Sequence, residues 1–68
     1  MIDTNALKAV IVLNGMTQQE VAEKIGITSK TFYNKMKKGV FGSDEMEAMI
    51  DLLSIENPGA IFFAEERT

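Results

Sequence analysis

TQQEVAEKIGITSKTFYNKMKK, residues 17–38, is the stretch that decides the fold of this 68-residue chain, because it carries the start and stop signals of two short helices. Thr17 is followed three positions later by Glu20, the spacing of a capping box in which each side chain binds the other's backbone N–H. Gly26 suits the left-handed conformation that ends many helices, since glycine enters it without steric cost. Thr28 can cap the next helix. The stretch therefore predicts two helices joined by a tight turn.

The two predicted helices cover about residues 18–25 and 29–38. Ala22 is small and precedes Gly26 by four positions, so it allows the second helix to approach closely. Larger apolar residues recur where a right-angled pair of helices must fill its inner corner: Val21, Ile25, Ile27, Phe32 and Met36. This combination predicts a helix-turn-helix.

The rest of the chain reads as further helices around this motif. They are, in chain order, a helix at about 5–14 capped by Asp3 or Thr4, a loop whose Phe41 fills the core, a helix at about 44–53 capped by Ser43, and a last helical turn starting at Asn57-Pro58. The predicted fold class is all-α, a compact bundle of four to five helices. A chain of 68 residues allows one domain, residues 1–68.

Two segments carry more apolar residues than one buried face needs. Ala9 and Val12 fall off the core face of the first helix, and Leu13 lies at the edge of that face; either they pack under the last helix or the C-terminal tail, or they belong to a dimer surface. Near the other end, Ile61, Phe62 and Phe63 cannot all face the core from one short helix. We expect one phenylalanine at the surface and a dimer or partner contact there; the alternative packs all three against the first helix.

Charge is distributed unevenly along the chain. The net charge is −3, yet the segment from Lys24 to Ser43 holds five lysines and no acid, while from Asp44 onward there are seven acids and one base. Local potential rather than net charge governs docking on a phosphate backbone, so this segment is a candidate nucleic-acid surface. The alternative is that the lysines only keep an exposed helix soluble.

Several classes of function find no support in the composition. The chain has no His and no Cys, which removes the commonest general base, the thiol nucleophile and most transition-metal ligands. We therefore expect no enzyme, no metal and no cofactor. No apolar run reaches the roughly 18 residues that span a membrane. These features predict a cytoplasmic protein without a membrane partner.

The motif resembles the helix-turn-helix regulators of the phage repressor and Cro type, the XRE family, whose fold is lambda-repressor-like. The resemblance is strongest in TQQEVAEKIGIT, extends through SKTFYNKMKKG, and reaches the C-terminal NPGAIFFA, as in small phage-encoded members. The chain departs from the pattern at Lys35, where many members carry an apolar residue; Met36 is expected to take over that anchoring role.

In this fold the second motif helix lies in the major groove of double-stranded DNA, and its first residues reach base edges. With Phe32 and Met36 on the buried side, the outward positions at about 100° per residue predict a base-reading set of Ser29, Lys30, Tyr33 and Asn34. The alternatives are that Tyr33 is partly packed in the core and that Asn34 is an ordinary exposed polar residue.

Phosphate contacts are expected beside this helix. In the resembled family, a glutamine at the position of Gln18 often clamps the DNA backbone; the alternative is a solvated residue at a helix start. The free amides at the first motif helix's N-terminus also suit a phosphate. The full predicted phosphate set is Gln18, Gln19, Thr28, Lys37 and Lys38.

The function implied by this resemblance is a sequence-specific DNA-binding transcriptional regulator, a phage or prophage Cro-like repressor. One recognition helix reads only a few base pairs, which implies a homodimer on a two-fold operator. The alternative is an anti-repressor that keeps the fold but binds a second phage regulator; the acidic C-terminal half and the apolar IFFA segment favour it. A toxin–antitoxin antidote is a third interpretation, although no toxin-binding extension is visible.

Overall fold

The computed structural model describes residues 2–63, which form five α-helices and no strand. The helices are α1 (Thr4–Leu13), α2 (Gln18–Ile25), α3 (Ser29–Lys38), α4 (Ser43–Leu53) and α5 (Pro58–Phe62). The predicted all-α fold class is confirmed, and α2 and α3 have the predicted bounds. No helix among residues 2–63 has the length and apolar character needed to cross a bilayer.

Helix α2 forms the centre of the bundle. It packs against α1, α3 and α4, and α1 packs in turn against α5. Val21 and Ala22 on α2 are completely buried. The small side chain of Ala22 lets neighbouring helices approach this position closely, as predicted. The motif helices are therefore held by the same core that holds the rest of the domain.

The core extends from the motif into the loop that follows it. Phe32 of α3 is completely buried, and its ring lies 5.2 Å from that of Phe41, centroid to centroid. The prediction that Phe41 fills the core is confirmed. Other buried apolar side chains come from every helix, among them Leu7, Ile11, Met36, Met49, Leu53 and Phe62.

Helix α4 starts one residue earlier than the sequence indicated. Its N-cap is Gly42, and Ser43 is the first helical residue, so the prediction of Ser43 as the cap is wrong. The physical reason is Glu45, which stands three residues after Gly42. Its carboxylate accepts a hydrogen bond from the Gly42 N–H at 2.8 Å, which is the half of a capping box that a glycine N-cap can form.

Backbone and cap hydrogen bonds join the ends of α1 to the rest of the bundle. Asp3, rather than Thr4, caps α1 by accepting from the Ala6 N–H at 3.0 Å. The Asp3 N–H donates to the carbonyl of Ile61 at 2.7 Å. At the other end, the Asn14 side-chain amide donates to the carbonyl of Leu53 at 3.1 Å.

The outward face of α1 is uncovered among the described residues. Val12 is 72% exposed and Leu13 is 83% exposed, and Ala9 is exposed as well. The interpretation that these side chains pack under the last helix is therefore wrong for the described residues, although Leu13 borders an open cavity that α5 also lines with Ala60 and Ile61. The alternative covering, by a tail of residues 64–68, lies outside the described residues.

Candidate nucleic-acid interface

Local capping fixes the start and end of α2. The Thr17 hydroxyl accepts from the Glu20 N–H at 3.1 Å, and the Glu20 carboxylate accepts from the Thr17 N–H at 2.8 Å. Gly26 has φ +87°, and the next N–H, that of Ile27, donates to the carbonyl of Ala22 at 3.0 Å. This is the Schellman end, which turns the chain sharply toward α3.

Helix α3 is capped by Thr28. The Thr28 hydroxyl oxygen accepts from the Thr31 N–H at 3.1 Å, and the hydroxyl donates to Thr31 Oγ1 at 2.9 Å. Thr28 is exposed, as a phosphate contact requires, but its hydroxyl already serves the cap. The backbone N–H of Thr28, at the start of the helix, is the better candidate to donate a hydrogen bond to an anion.

Two apolar side chains fix the rotation of α3 about its axis. Phe32 is completely buried, and Met36 is 6% exposed. Because residues four apart lie on one helix face, these two define the inward side of α3. The expectation that Met36 anchors this helix in place of Lys35 agrees with this burial.

The outward side of α3 presents cations and one amide. Lys30, Asn34, Lys37 and Lys38 are all exposed, and within residues 2–63 none of their side chains makes a hydrogen bond or ion pair. Tyr33 is half-exposed, with its ring edge-on to that of Phe32 at 6.4 Å, so part of it packs on the core. This face is therefore available to a ligand rather than held by the fold.

Lys35 is the exception among the lysines of α3. Its ammonium lies 2.6 Å from Glu45 Oε2 on α4. The hydrogen bond from Lys35 is the main cause that lowers the pKa of the Glu45 carboxyl; desolvation opposes it, and the Gly42 N–H supports it. Glu45 is therefore charged at neutral pH and neutralises Lys35, which leaves Lys35 a poor phosphate ligand.

An open cavity of about 300 Å³ joins α1, α2 and α3 beside this face. It is lined by Lys8, Gln18, Tyr33, Met36 and Lys37. Two ammonium groups, an amide and a phenol around one cavity can together hold an anion such as a backbone phosphate. Lys8 is the residue that sequence reasoning missed, because its position depends on how α1 crosses the motif.

Some of the other predicted contact residues line this cavity, and others lie outside it. Gln18 is half-buried at the start of α2 and borders the cavity, whereas Gln19 is exposed and does not. Ser29, the first residue of α3, is half-buried. The structure therefore groups Gln18, Tyr33 and Lys37, and separates Gln19 from them.

The three residues predicted to form a dimer or partner surface, Ile61, Phe62 and Phe63, do not all lie at the surface. Ile61 and Phe62 are buried in the core at 8% and 3% exposure, and Phe63 is 65% exposed. The expectation that one phenylalanine lies at the surface is confirmed, and that residue is Phe63. Ile61 and Phe62 have structural roles in the chain itself and are not available as a surface. Among residues 2–63, no cluster of acidic side chains is arranged to hold a metal ion.

Comparisons of the chain with models of protein families, with curated proteins and with solved structures gave no match.

Proposed function

We propose that this protein is a sequence-specific double-stranded DNA-binding regulator that inserts α3 into the major groove. The observation that carries the proposal is the outward face of α3. It combines Lys30, Asn34 and Lys37, all exposed and without a side-chain partner in residues 2–63. The opposite side of the same helix is fixed by buried Phe32 and Met36. A rigid helix with unpaired donors on one face is what base reading requires.

The chemistry of this face matches base edges in the major groove. The Lys30 ammonium can donate to guanine O6 and N7, and the Asn34 amide can pair with adenine N6 and N7 in a bidentate way. Ser29 and Tyr33 flank these two and can contact a base edge or a thymine methyl. Each good contact discriminates by about 1–3 kcal/mol.

The cavity beside α3 supports the same orientation. Lys8, Gln18 and Lys37 converge there, and a phosphate bound among them would lie next to the base-reading face. Contacts of this kind fix the register of the protein on the duplex but carry no sequence information. Lys38 extends the cationic surface along the DNA backbone.

The resemblance to phage repressors makes the proposal more specific. It favours a Cro-like repressor that acts in the cytoplasm as a homodimer, with half-sites about 34 Å apart or a multiple of that distance. Repression would follow from occupying promoter DNA.

Selection from a library of random duplexes, followed by sequencing, tests the proposal. At moderate salt we expect enrichment of a short two-fold symmetric motif. Failure to enrich any sequence over a range of salt concentrations, from a sample that melts cooperatively, would contradict DNA reading.

A second candidate is an anti-repressor that binds another regulator. The observation that favours it is the exposed apolar pair Val12 and Leu13 on α1. Salt dependence separates the two candidates. The affinity for DNA falls steeply as the salt concentration rises, because binding of the protein releases cations that were condensed on the phosphates. The affinity of an apolar protein contact changes little with salt.

A further inference from the structure

Asn14 and Gly15, in the turn that joins α1 to α2, are a chemically labile pair. Asn14 is the C-cap of α1, Gly15 has φ +70°, and both residues are exposed. The side-chain amide of an asparagine is open to attack by the backbone nitrogen of the next residue, and a glycine there has no Cβ to hinder the attack. Asn14 is the one asparagine of the chain that precedes a glycine. We propose that Asn14 is a deamidation site and that its reaction irreversibly unlinks α1 from α4.

The reaction needs no reagent except water. The Gly15 nitrogen bonds to Cγ of Asn14, the Cγ–Nδ2 bond breaks, and the proton lost from the Gly15 N–H leaves with the amide nitrogen as ammonia. Water then opens the resulting succinimide ring at one of its two carbonyl carbons. Opening at Cγ restores the main chain and leaves aspartate, whereas opening at the main-chain carbonyl carbon leaves isoaspartate. Nothing is oxidised or reduced, and either product carries a carboxylate in place of the amide.

The amide of Asn14 joins the ends of two helices. Its Nδ2 donates to the carbonyl of Val10 at 2.9 Å and to the carbonyl of Leu53 at 3.1 Å. The second bond spans 39 positions of the sequence, more than any other side-chain hydrogen bond within residues 2–63. The Leu53 carbonyl is one of the last carbonyls of α4, which have no donor within their own helix. The Asn14 amide therefore supplies a donor that α4 lacks and ties α1 to it.

A carboxylate at this position cannot replace the amide. It accepts hydrogen bonds and donates none, so both bonds to carbonyl oxygens are lost. Its negative charge also lies at the C-terminal ends of α1 and α4, where the helix dipoles are negative. Asn14 and Leu53 line an open cavity together with Glu56, and no lysine or arginine of the described residues lines it. The new charge therefore gains no cation there, and deamidation destabilises the folded chain.

The folded state slows the same reaction. The Gly15 N–H donates to the carbonyl of Val12 at 2.9 Å, and the Asn14 amide is held by its two carbonyl partners. Attack therefore requires these bonds to break, which happens when the end of α1 opens. Helix ends open at a lower cost in free energy than the core does. Each opening thus exposes the chain to a change that disfavours closing again, which limits the lifetime of the folded protein whether or not it binds DNA.

The test measures deamidation of the full-length wild-type chain by peptide mapping, at one mildly alkaline pH, with and without denaturant. Cleavage after lysine releases residues 9–24, in which Asn14 is the one asparagine, and residues 31–35, in which Asn34 is the internal control. Mass spectrometry gives the rate at each asparagine, and the isoaspartate content identifies the succinimide route. Circular dichroism melting of Asn14→Asp measures the effect of the product. Asn34→Asp is the matched control, because Asn34 is exposed and its side chain makes no hydrogen bond within residues 2–63.

In denaturant we expect Asn14 to react about tenfold or more faster than Asn34, because the side chain of Lys35 hinders attack on Asn34. Without denaturant the rate at Asn14 should fall by about tenfold or more. Asn14→Asp should melt roughly 4–8 °C below wild type, the shift expected when a domain of this size loses one net hydrogen bond, and Asn34→Asp should melt close to wild type. The deamidated wild-type fraction, separated by ion exchange, should also melt below the untreated chain.

Two results would overturn the proposal. Equal rates at Asn14 and Asn34 in denaturant would show that the pair with Gly15 is not a preferred site. Melting of Asn14→Asp and of the deamidated fraction at the wild-type temperature would show that the amide does not tie α1 to α4. An Asn14→Asp chain that is unfolded would support the link, and the rates, measured on wild type, would still test the site.

Discussion

Helices α3 and α4 pack against the same central helix and have nearly equal lengths, yet they carry opposite charges. Helix α3 has four lysines and no acid in 10 residues, and α4 has four acids and no base in 11. The two helices are joined by one ion pair, Lys35 with Glu45. The net charge of −3 therefore conceals a strongly polarised molecule, in which α3 carries a cationic surface and α4 an anionic one.

The largest expected effect comes from removing the base-reading groups of α3. Lys30→Ala combined with Asn34→Ala should abolish operator preference, a loss of about 2–6 kcal/mol if each contact contributes about 1–3 kcal/mol. The measurement is the ratio of affinities for the selected duplex and for a shuffled one.

The matched control for Lys30→Ala with Asn34→Ala is a double alanine substitution on the acidic helix α4, Glu47→Ala with Asp51→Ala. Both residues are exposed on α4, so operator preference should remain. Melting temperatures of both double variants should stay close to wild type, because exposed substitutions usually change stability by less than about 0.5 kcal/mol. A large loss of stability in the α3 variant would mean that the outward face is assigned incorrectly.

The next effect concerns affinity rather than preference. Lys37→Ala with Lys38→Ala should weaken binding to every duplex and lower the slope of log affinity against log salt by about 1.8, from about 0.9 per phosphate contact. Lys35→Met should leave that slope unchanged, because the Lys35 charge is already paired with Glu45. Equal slope changes for Lys35 and for the unpaired lysines would mean that the ion pair with Glu45 does not keep Lys35 from contacting phosphate.

A smaller effect is expected at the edge of the basic face. Lys8→Ala should lower the salt slope by about 0.9, since the cavity brings this ammonium beside Gln18 and Lys37. Asn5→Ala, exposed on the same helix but outside the cavity, is the control. Identical binding by the two variants would show that α1 does not reach the duplex.

The elements that could be predicted from sequence are those fixed by contacts within a few residues. The bounds of α2 and α3 follow from Thr17, Gly26, Thr28 and Gly39, whose caps act within one turn of the helix. The start of α4 was open to the same argument. The three-residue offset from Gly42 to Glu45 marks the cap, whereas the residue three positions after Ser43 is Met46, which has no carboxylate to complete a capping box.

The parts of the fold and of the candidate site that the sequence does not predict depend on how the helices cross. Local sequence patterns do not specify this crossing. Lys8 and Lys37 are far apart in sequence, and their approach to one cavity requires the angle between α1 and α3. The same holds for Phe62 and Phe63, adjacent residues of which one is buried and the other exposed. The sequence favours one exposed phenylalanine but also allows core packing of all three apolar residues, and only the packing of α5 decides between these alternatives.

The smallest expected effect tests the contact between the two charged helices through its pH dependence. In the folded chain the pKa of Glu45 lies below its ordinary value, chiefly because of the hydrogen bond from Lys35. The stabilisation is therefore fully present above the unfolded pKa of about 4.3 and is lost as the pH falls through the folded pKa. Glu45→Gln removes this dependence while keeping an oxygen that can accept from Gly42. At pH 7 it should cost less than about 1 kcal/mol, as expected for a partly exposed pair.

The measurement is chemical unfolding of wild type, Glu45→Gln and the exposed control Glu47→Gln, at several pH values from neutral to acid. The difference between wild type and Glu45→Gln should shrink toward zero as the pH falls below about 4.3, because protonated Glu45 and glutamine carry the same charge. Glu47→Gln should show a smaller difference, since Glu47 has no ion pair within residues 2–63. A constant difference at all pH values would mean that Glu45 acts through the cap at Gly42 alone. In that case the opposite charges of α3 and α4 would matter for the approach to DNA but would not stabilise the fold.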